Sequence, residues 1–404
     1  MRSTAAKLGL LGSLYLSQGL PFGFFAQALP VLLRERGLSL PAIGLSSLLA
    51  LPWALKFAWA PVVDHTGFAG FGRRKSWIVP LQLAAATLSL GLAFADSERA
   101  LTWLLVAVLL TNLVAATQDV ATDGLAVELL APHERGLGNG VQVAGYRVGM
   151  ILGGGALLVV FARLGWSATF VAMGGLLLVA TLPILAHREP ASTPSRPLRV
   201  ALGWSAWRGL ARHFGPWLWV LVTFKTGDAL GTGMLRVFLV DSGLGLEDIG
   251  VLMGTVGFSA GLFGALVGGW GVGRLGRRRA LLAFGSIQTL AVAAYAVPAW
   301  SPRVFSAVAL VTTVEHFTGG MATAALFTLM MDRARPGSEG TDYTFQASAV
   351  VLATGGAGAI SGWVAQAAGY FWHFVIAGGL SLVGVVIAAR VVREEQLALV
   401  QETP

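Results

Sequence analysis

The chain has 404 residues, of which 55% are hydrophobic and only 12% charged, with a mean hydropathy of +0.72. This composition excludes an ordinary soluble protein, and the absence of cysteine excludes disulfides, thiol chemistry, Fe–S clusters and cysteine-held zinc. The formal net charge of +8 would suit nucleic acid in a soluble chain, so the positions of the basic residues decide its meaning.

A bilayer core of roughly 30 Å needs about 20 apolar residues per helix, and apolar runs of that length recur from end to end. Cutting at charge and Gly/Pro clusters predicts twelve spans near 8–33, 40–62, 76–95, 100–124, 137–161, 165–186, 214–240, 247–271, 279–299, 303–330, 342–368 and 370–392. Met1 to Lys7 is a short basic start without a small-residue cleavage site, so the first run reads as a retained span rather than a signal peptide. The one long polar connector, residues 187–213, separates a six-span half, 1–186, from a second, 214–404.

With the N-terminus inside, 19 of the 28 Lys and Arg fall in cytoplasmic segments, and five (Arg34, Arg36, Arg99, Arg163, Arg303) fall in outer loops. That bias places both termini in the cytoplasm and explains the basic charge by topology, leaving no role for nucleic acid.

The halves repeat. FGRRK (71–75) follows span 2 and LGRRR (275–279) follows span 8, an offset of 204 that also carries Gly136 of HERG onto Gly340 of GSEG. Parallel six-helix halves joined by a cytoplasmic linker form the architecture of major facilitator transporters, whose site lies near the midplane. The expected fold is therefore all-α and integral to the membrane, with twelve transmembrane helices as two six-helix pseudo-repeats.

Span 1 carries SQGLPFGFFAQALP (17–30), where Pro21 between Gly19 and Gly23 is expected to interrupt the helix beside a cavity. Phe22, Phe24 and Phe25 then form an aromatic wall near polar Tyr15, Gln18 and Gln27, unless these rings simply face lipid. A local offset of 206 pairs GLPFG (19–23) with KTGDA (225–229). In GYRVGMILGGG (145–155), Gly145, Gly149 and Gly153 recur one turn apart, the spacing of a close helix contact.

Charges inside spans are costly and either pair with each other or mark a pathway. They are Lys56, Arg147, Lys225 and Arg236 against Asp119, Asp123, Asp228 and Glu315. Lys225, Asp228, Thr232 and Arg236 share one face of span 7 by helical spacing. Glu315, Asp228 and Asp119 are candidates for proton coupling, because burial favours the neutral acid and a nearby cation the carboxylate. Arg147 and Lys225 are candidates for an anionic group of the substrate. His316 suits either a relay or ordinary packing. No phosphate-binding loop and no His-Glu metal motif occurs, so an ion gradient is the energy source that remains.

Within QDVATDG (118–124), Asp119 and Asp123 have the spacing of a metal pair of a membrane enzyme, but the sequence supplies no further ligands at their depth. Asp123 sits about 16 Å toward the cytoplasm from the middle of span 4 by helical rise, and Asp119 faces the inner end of the cavity. The two are read as neighbours with different tasks, and no metal or other cofactor is expected.

QGLPFGFF, LPWALKFAWAPVVD followed by GRRKSW, and QDVATDGLAVELL…ERG followed by GYRVGM resemble one major facilitator branch. It holds AmpG-type muropeptide permeases, acetyl-CoA transporters and siderophore permeases of the RhtX/FptX type. The compact twelve-span form and the aromatic QGLPFGFF look closest to the siderophore permeases. The resemblance implies proton-driven import across a bacterial inner membrane, with a ferric siderophore as first expectation and a muropeptide as runner-up. It also implies a cytoplasmic latch at the loop after span 2, where Asp64, Gly72, Arg73 and Arg74 match the motif and HTGFAGF lengthens its spacing. Asp123 is placed to meet Arg73 or Arg74. The substrate-binding set is thus Tyr15, Gln18, Phe22, Phe25, Gln27, Arg147, Lys225 and Asp228, and the gating set is Asp64, Arg73, Arg74 and Asp123.

Overall fold

The computed structural model describes residues 3–35, 37, 46–68, 70–94, 101–189, 203–300 and 305–393. Residues 190–202 of the connector, and Arg36, Arg99 and Arg303 of the outer loops, lie outside them. Every regular element among the described residues is helical. This follows from the composition, because a backbone in hydrocarbon must satisfy its own N–H and C=O groups and an α-helix does so within one segment.

Seven stretches are long and apolar enough to cross a membrane, among the described residues. Two of them are double: Pro132–Leu185 and Glu339–Val391 each turn at a glycine with positive φ, Gly165 (81°) and Gly369 (77°). Such backbone suits glycine, which lacks the Cβ that would clash there. The predicted spans 5, 6, 11 and 12 fall on these doubled stretches. Spans 2 and 7 are broken into shorter pieces, and span 10 is the helix Phe305–Asp332, which carries Glu315 and His316 inside it.

The chain divides into two compact units: Met1–Leu130 with Gly145–Ala206 and Ala334–Thr344, and Ala131–Ala144 with Trp207–Arg333 and Phe345–Pro404. In the first unit, α1 (Thr4–Gly23) packs against α4 (Leu101–Leu129) and α6 (Leu157–Leu185), and α3 (Lys75–Ala93) packs against the last two. The short α2 (Ala60–His65) lies against α4. In the chain α5 (Arg135–Met150) follows α4; its residues from Gly145 belong to the first unit and those before it to the second. In the second unit, α8 (Phe258–Leu275) packs on α10 (Phe305–Asp332), and α9 (Arg277–Ala294) touches both. There the predicted span 7 is interrupted at Lys225, where α7 (Thr226–Gly233) begins, and again at Met234.

The expected break at Pro21 is displaced. Helix α1 runs through Pro21 to Gly23, and the irregularity is a π-helical turn at Phe24–Ala28. A proline removes one backbone donor and crowds the preceding turn, yet the helix stays regular there, and the π turn begins three residues later. Phe24 and Phe25 are buried rather than lipid-facing, and Phe24 packs edge-on against Phe170 with ring centroids 5.3 Å apart.

The one-turn glycine spacing makes the close contact expected of it. A Cβ at Gly19 would meet the Tyr146 carbonyl, one at Gly149 the Cα of Gly19, and one at Gly153 the Leu20 carbonyl. We expect Gly149→Val to force the two helices apart and cost about 1–3 kcal/mol, as overpacking does. The thermal midpoint of purified protein should fall, whereas Gly175→Ala, which points a methyl into open space, should leave it unchanged.

Candidate functional site

Among the described residues, three buried charge clusters hold the predicted positions, two in the first unit and one in the second, and a further one in the second unit mirrors the loop cluster. The first lies around the GRRK loop. Arg74 is fully buried, and its guanidinium meets Asp64 at 2.5 Å, Glu128 at 2.6 Å and Glu339 at 3.5 Å. Room for it exists because α4 has a glycine there: a Cβ at Gly124 would strike the guanidinium carbon. Asp64 also accepts from the backbone N–H groups of Gly340 (3.2 Å) and Thr341 (2.7 Å), at the start of α11 (Glu339–Val391). A helix N-terminus presents unsatisfied N–H donors and partial positive charge, which suits a carboxylate. Burial alone pushes the Asp64 carboxyl up, but Arg74 and Thr341 outweigh it and hold the pKa below the usual carboxylate value. For Arg74 burial works against the charge, and Asp64 and Glu128 more than offset it, so its pKa is raised.

Arg73 donates to the Asp64 carbonyl (2.8 Å) and pairs with Glu128 (2.6 Å). Glu189, past the end of α6, accepts from the N–H groups of Arg74 and Lys75 and so caps α3. Glu128 thus serves both loop arginines at 2.6 Å, and Glu339 stands farther from both, at 3.9 Å from Arg73 and 3.5 Å from Arg74. Asp123 instead accepts a 2.7 Å hydrogen bond from the Tyr15 hydroxyl. Sequence reasoning missed Glu128 because it falls beyond the predicted end of span 4; the 204-residue offset was the signal that could have found it. It carries Arg73 onto Arg277, Glu128 onto Asp332 and Arg135 onto Glu339. In the second unit Arg277 and Arg135 both pair with Asp332, at 3.0 and 2.9 Å.

The second cluster sits deeper in the first unit. Lys56 forms an ion pair with Asp119, and the carboxyl of Asp123, one turn on, lies within hydrogen-bonding reach of Asp119. Asp119 and Asp123 are therefore not separated by depth into unrelated groups, as the sequence suggested; α4 presents both to one polar pocket closed by Tyr15 and Lys56. Beside them Trp53 donates from Nε1 to Asn112 Oδ1 at 3.1 Å, and the Lys56 ammonium stands 5.5 Å from the Trp53 ring. Phe22 meets Trp53 and Tyr146, each at 5.7 Å between centroids. Neither Trp53 nor Tyr146 was assigned a role from sequence, because nothing local marks two rings so far apart in the chain as neighbours.

The third cluster is in the second unit. Lys225 pairs with Asp228 (2.7 Å) and donates to Gln288 Oε1 (3.1 Å). The carboxyls of Asp228 and Glu315 lie within hydrogen-bonding reach of each other, and His316 Nδ1 is 2.8 Å from Glu315. The structure thus brings together Lys225, Asp228 and Glu315 as a single group with His316. Arg236 falls on the next short helix and is exposed, away from the face it was expected to share.

The remaining predicted positions scatter. Gln18 is 1% exposed with neither amide atom hydrogen-bonded. Gln27 donates weakly to the Met150 carbonyl at 3.4 Å, Phe25 packs on Phe22 at 5.9 Å, and Arg147 is half-buried on α5.

The Major Facilitator Superfamily profile matches residues 11–357. The anhydromuropeptide permease of Escherichia coli K12 is 28% identical over 379 residues, covering 92% of this chain and 77% of that one. A putative transporter AmpG 4 of Rickettsia conorii is 25% identical over 349 residues, covering 83% and 84%. Among solved structures, the E. coli fucose:proton symporter FucP aligns with a TM-score of 0.75 at 14% identity, covering 97% of this chain and all of that one. A bacterial homologue of the iron transporter ferroportin aligns at 0.73 and 17% identity, covering 96% and 99%. At such identities the structural likeness establishes the fold alone. With the profile match spanning most of the chain, the protein belongs to the Major Facilitator Superfamily and is a multi-pass secondary transporter, not an enzyme.

Proposed function

We propose that the protein is a proton-coupled importer of muropeptides, sugar-peptides released from cell wall, working in a bacterial inner membrane with both termini cytoplasmic. One observation carries the substrate class: the extended similarity to an anhydromuropeptide permease, which runs through 92% of the chain. The sequence reading had ranked a ferric siderophore first; the named relatives favour its second choice.

The third cluster supports the coupling. Two carboxyls within hydrogen-bonding reach are stable when they share a proton, since two carboxylates offer only acceptors. Lys225 holds Asp228 as the charged partner, which leaves Glu315 as the acid that loads and releases the proton, with His316 beside it. Asp119 and Asp123, held by Lys56 and Tyr15, form a comparable pair in the first unit. In this reading the Asp64–Arg74–Glu128 group acts as the latch, because Glu339, Gly340 and Thr341 dock onto it.

The test is uptake of radiolabelled anhydromuropeptide by cells that lack their own permease and express this chain. Uptake above background that collapses with a protonophore is the expected result. Background uptake of muropeptide together with accumulation of ferric siderophore would overturn the assignment.

A further inference from the structure

The aromatic group on α1 and its neighbours is not used by the charge clusters. Phe22, Trp53 and Tyr146 surround one another, the last two with centroids 6.5 Å apart and planes at 78°, and all three rings are only partly buried. Rings set edge-to-face leave flat apolar surface and hydrogen-lined edges turned in different directions. Two polar groups with capacity to spare belong to the same region, Asn112 by its contact with Trp53 and Gln18 by its register on α1. Asn112 spends its oxygen on Trp53, but its Nδ2 is buried without a partner. Gln18 lies one turn from both Tyr15 and Phe22 on the same face of α1, and both its amide atoms are unpartnered at 1% exposure.

Buried amides without hydrogen bonds carry an uncompensated desolvation penalty. Each such group in a native structure calls for a partner, and beside a cluster of half-buried rings a ligand can supply it. We infer that the Phe22–Trp53–Tyr146 box, with the amides of Gln18 and Asn112, binds the sugar ring of the substrate. The assignment rests on the sugar-peptide reading above. The chemistry fits one ring type well. A pyranose has an apolar C–H face to lay against Trp53 and a rim of hydroxyl and acetamido groups that need donors and acceptors together. Gln18 offers both and Asn112 Nδ2 offers a donor. A bare peptide lacks such a face, and a flat apolar ligand would leave the amides unspent. Lys56 stays bound to Asp119 and steadies the box through its position against the Trp53 ring.

The experiment uses the full-length protein in detergent micelles and, separately, in proteoliposomes. Binding of the anhydro-disaccharide freed of its peptide is followed by quenching of tryptophan fluorescence and by competition against labelled anhydromuropeptide uptake. The expected result is saturable binding that weakens about tenfold or more in Trp53→Ala and Asn112→Leu. Trp53→Phe, which keeps a ring, should recover most of it. The free peptide should compete equally against wild type and variants. Failure of the disaccharide to bind while the intact muropeptide is transported would overturn the sugar box and leave the transport assignment standing. Disaccharide binding without muropeptide uptake would do the reverse. Variants that lose disaccharide and peptide competition equally, with Trp53→Phe no better than Trp53→Ala, would show the rings to be packing only and overturn the proposal.

Discussion

Replacing Glu315 by Gln is expected to abolish uphill, proton-driven uptake while sparing exchange of substrate across the membrane. Glu315 is buried at 3% exposure, beside Asp228 and 2.8 Å from His316 Nδ1. Gln has nearly the shape of the protonated acid and keeps a donor toward Asp228, so the binding state it mimics survives. What it cannot do is release a proton, and a site that never discharges cannot convert a pH gradient into solute movement. The measurement is uptake into proteoliposomes under an imposed pH gradient, set against counterflow without one. Wild-type uphill uptake in Glu315→Gln would remove Glu315 from coupling and leave Asp228 as the candidate. Asp228→Asn is expected to behave differently: it also frees the Lys225 ammonium in a buried setting, so both uptake and exchange should fall.

The second large effect belongs to Arg74. Its side chain is wholly buried and serves Asp64, Glu128 and Glu339 at once. Arg74→Ala would leave Asp64 buried with the N–H groups of Gly340 and Thr341 as its remaining partners. Breaking a buried pair from one side costs about 3–5 kcal/mol, most of it the penalty of the stranded charge. We expect a clear drop in thermal stability, and little rescue by Arg74→Lys, since an ammonium cannot reach two carboxylates in the forked geometry of a guanidinium. Neutralising both sides, as in Arg74→Met with Asp64→Asn, should recover part of the loss. An unchanged melting midpoint in Arg74→Ala would mean that the cluster carries no net stabilisation.

Much of the architecture could be read from the chain because hydrophobic length and charge placement act through the bilayer, which imposes the same rules everywhere. The GRRK and GRRR loops, and the glycines of GYRVGM, were legible for the same reason: their spacing has one good physical use. The site was legible in part. Lys225, Asp228 and Glu315 were singled out as costly intramembrane charges, and they do lie together. The partnership of Lys56 with Asp119 was not foreseen, although both were marked, because helical depth ranks residues along the membrane normal but does not say which helices are neighbours. Glu128 looked like a loop residue, and Trp53 like one apolar residue among many. Their importance comes from what folding brings to them, which no local pattern encodes. At Pro21 the expected interruption does not occur: the helix runs through the proline, and the irregular turn lies at Phe24–Ala28.

The two π turns of the first unit bear on how it deforms. One follows α1 at Phe24–Ala28, the other follows α5 at Ile151–Ala156, and they pack against each other directly beyond the glycine contact. A π turn holds one surplus residue inside an otherwise α-helical run, and such turns often lie at functional sites. Below the turns the two backbones are in such close register that neither helix can slide or roll alone. Kinks in helices fall at such turns, so the two helices carry their places to bend side by side, just past a glycine contact that a single added methyl would disrupt.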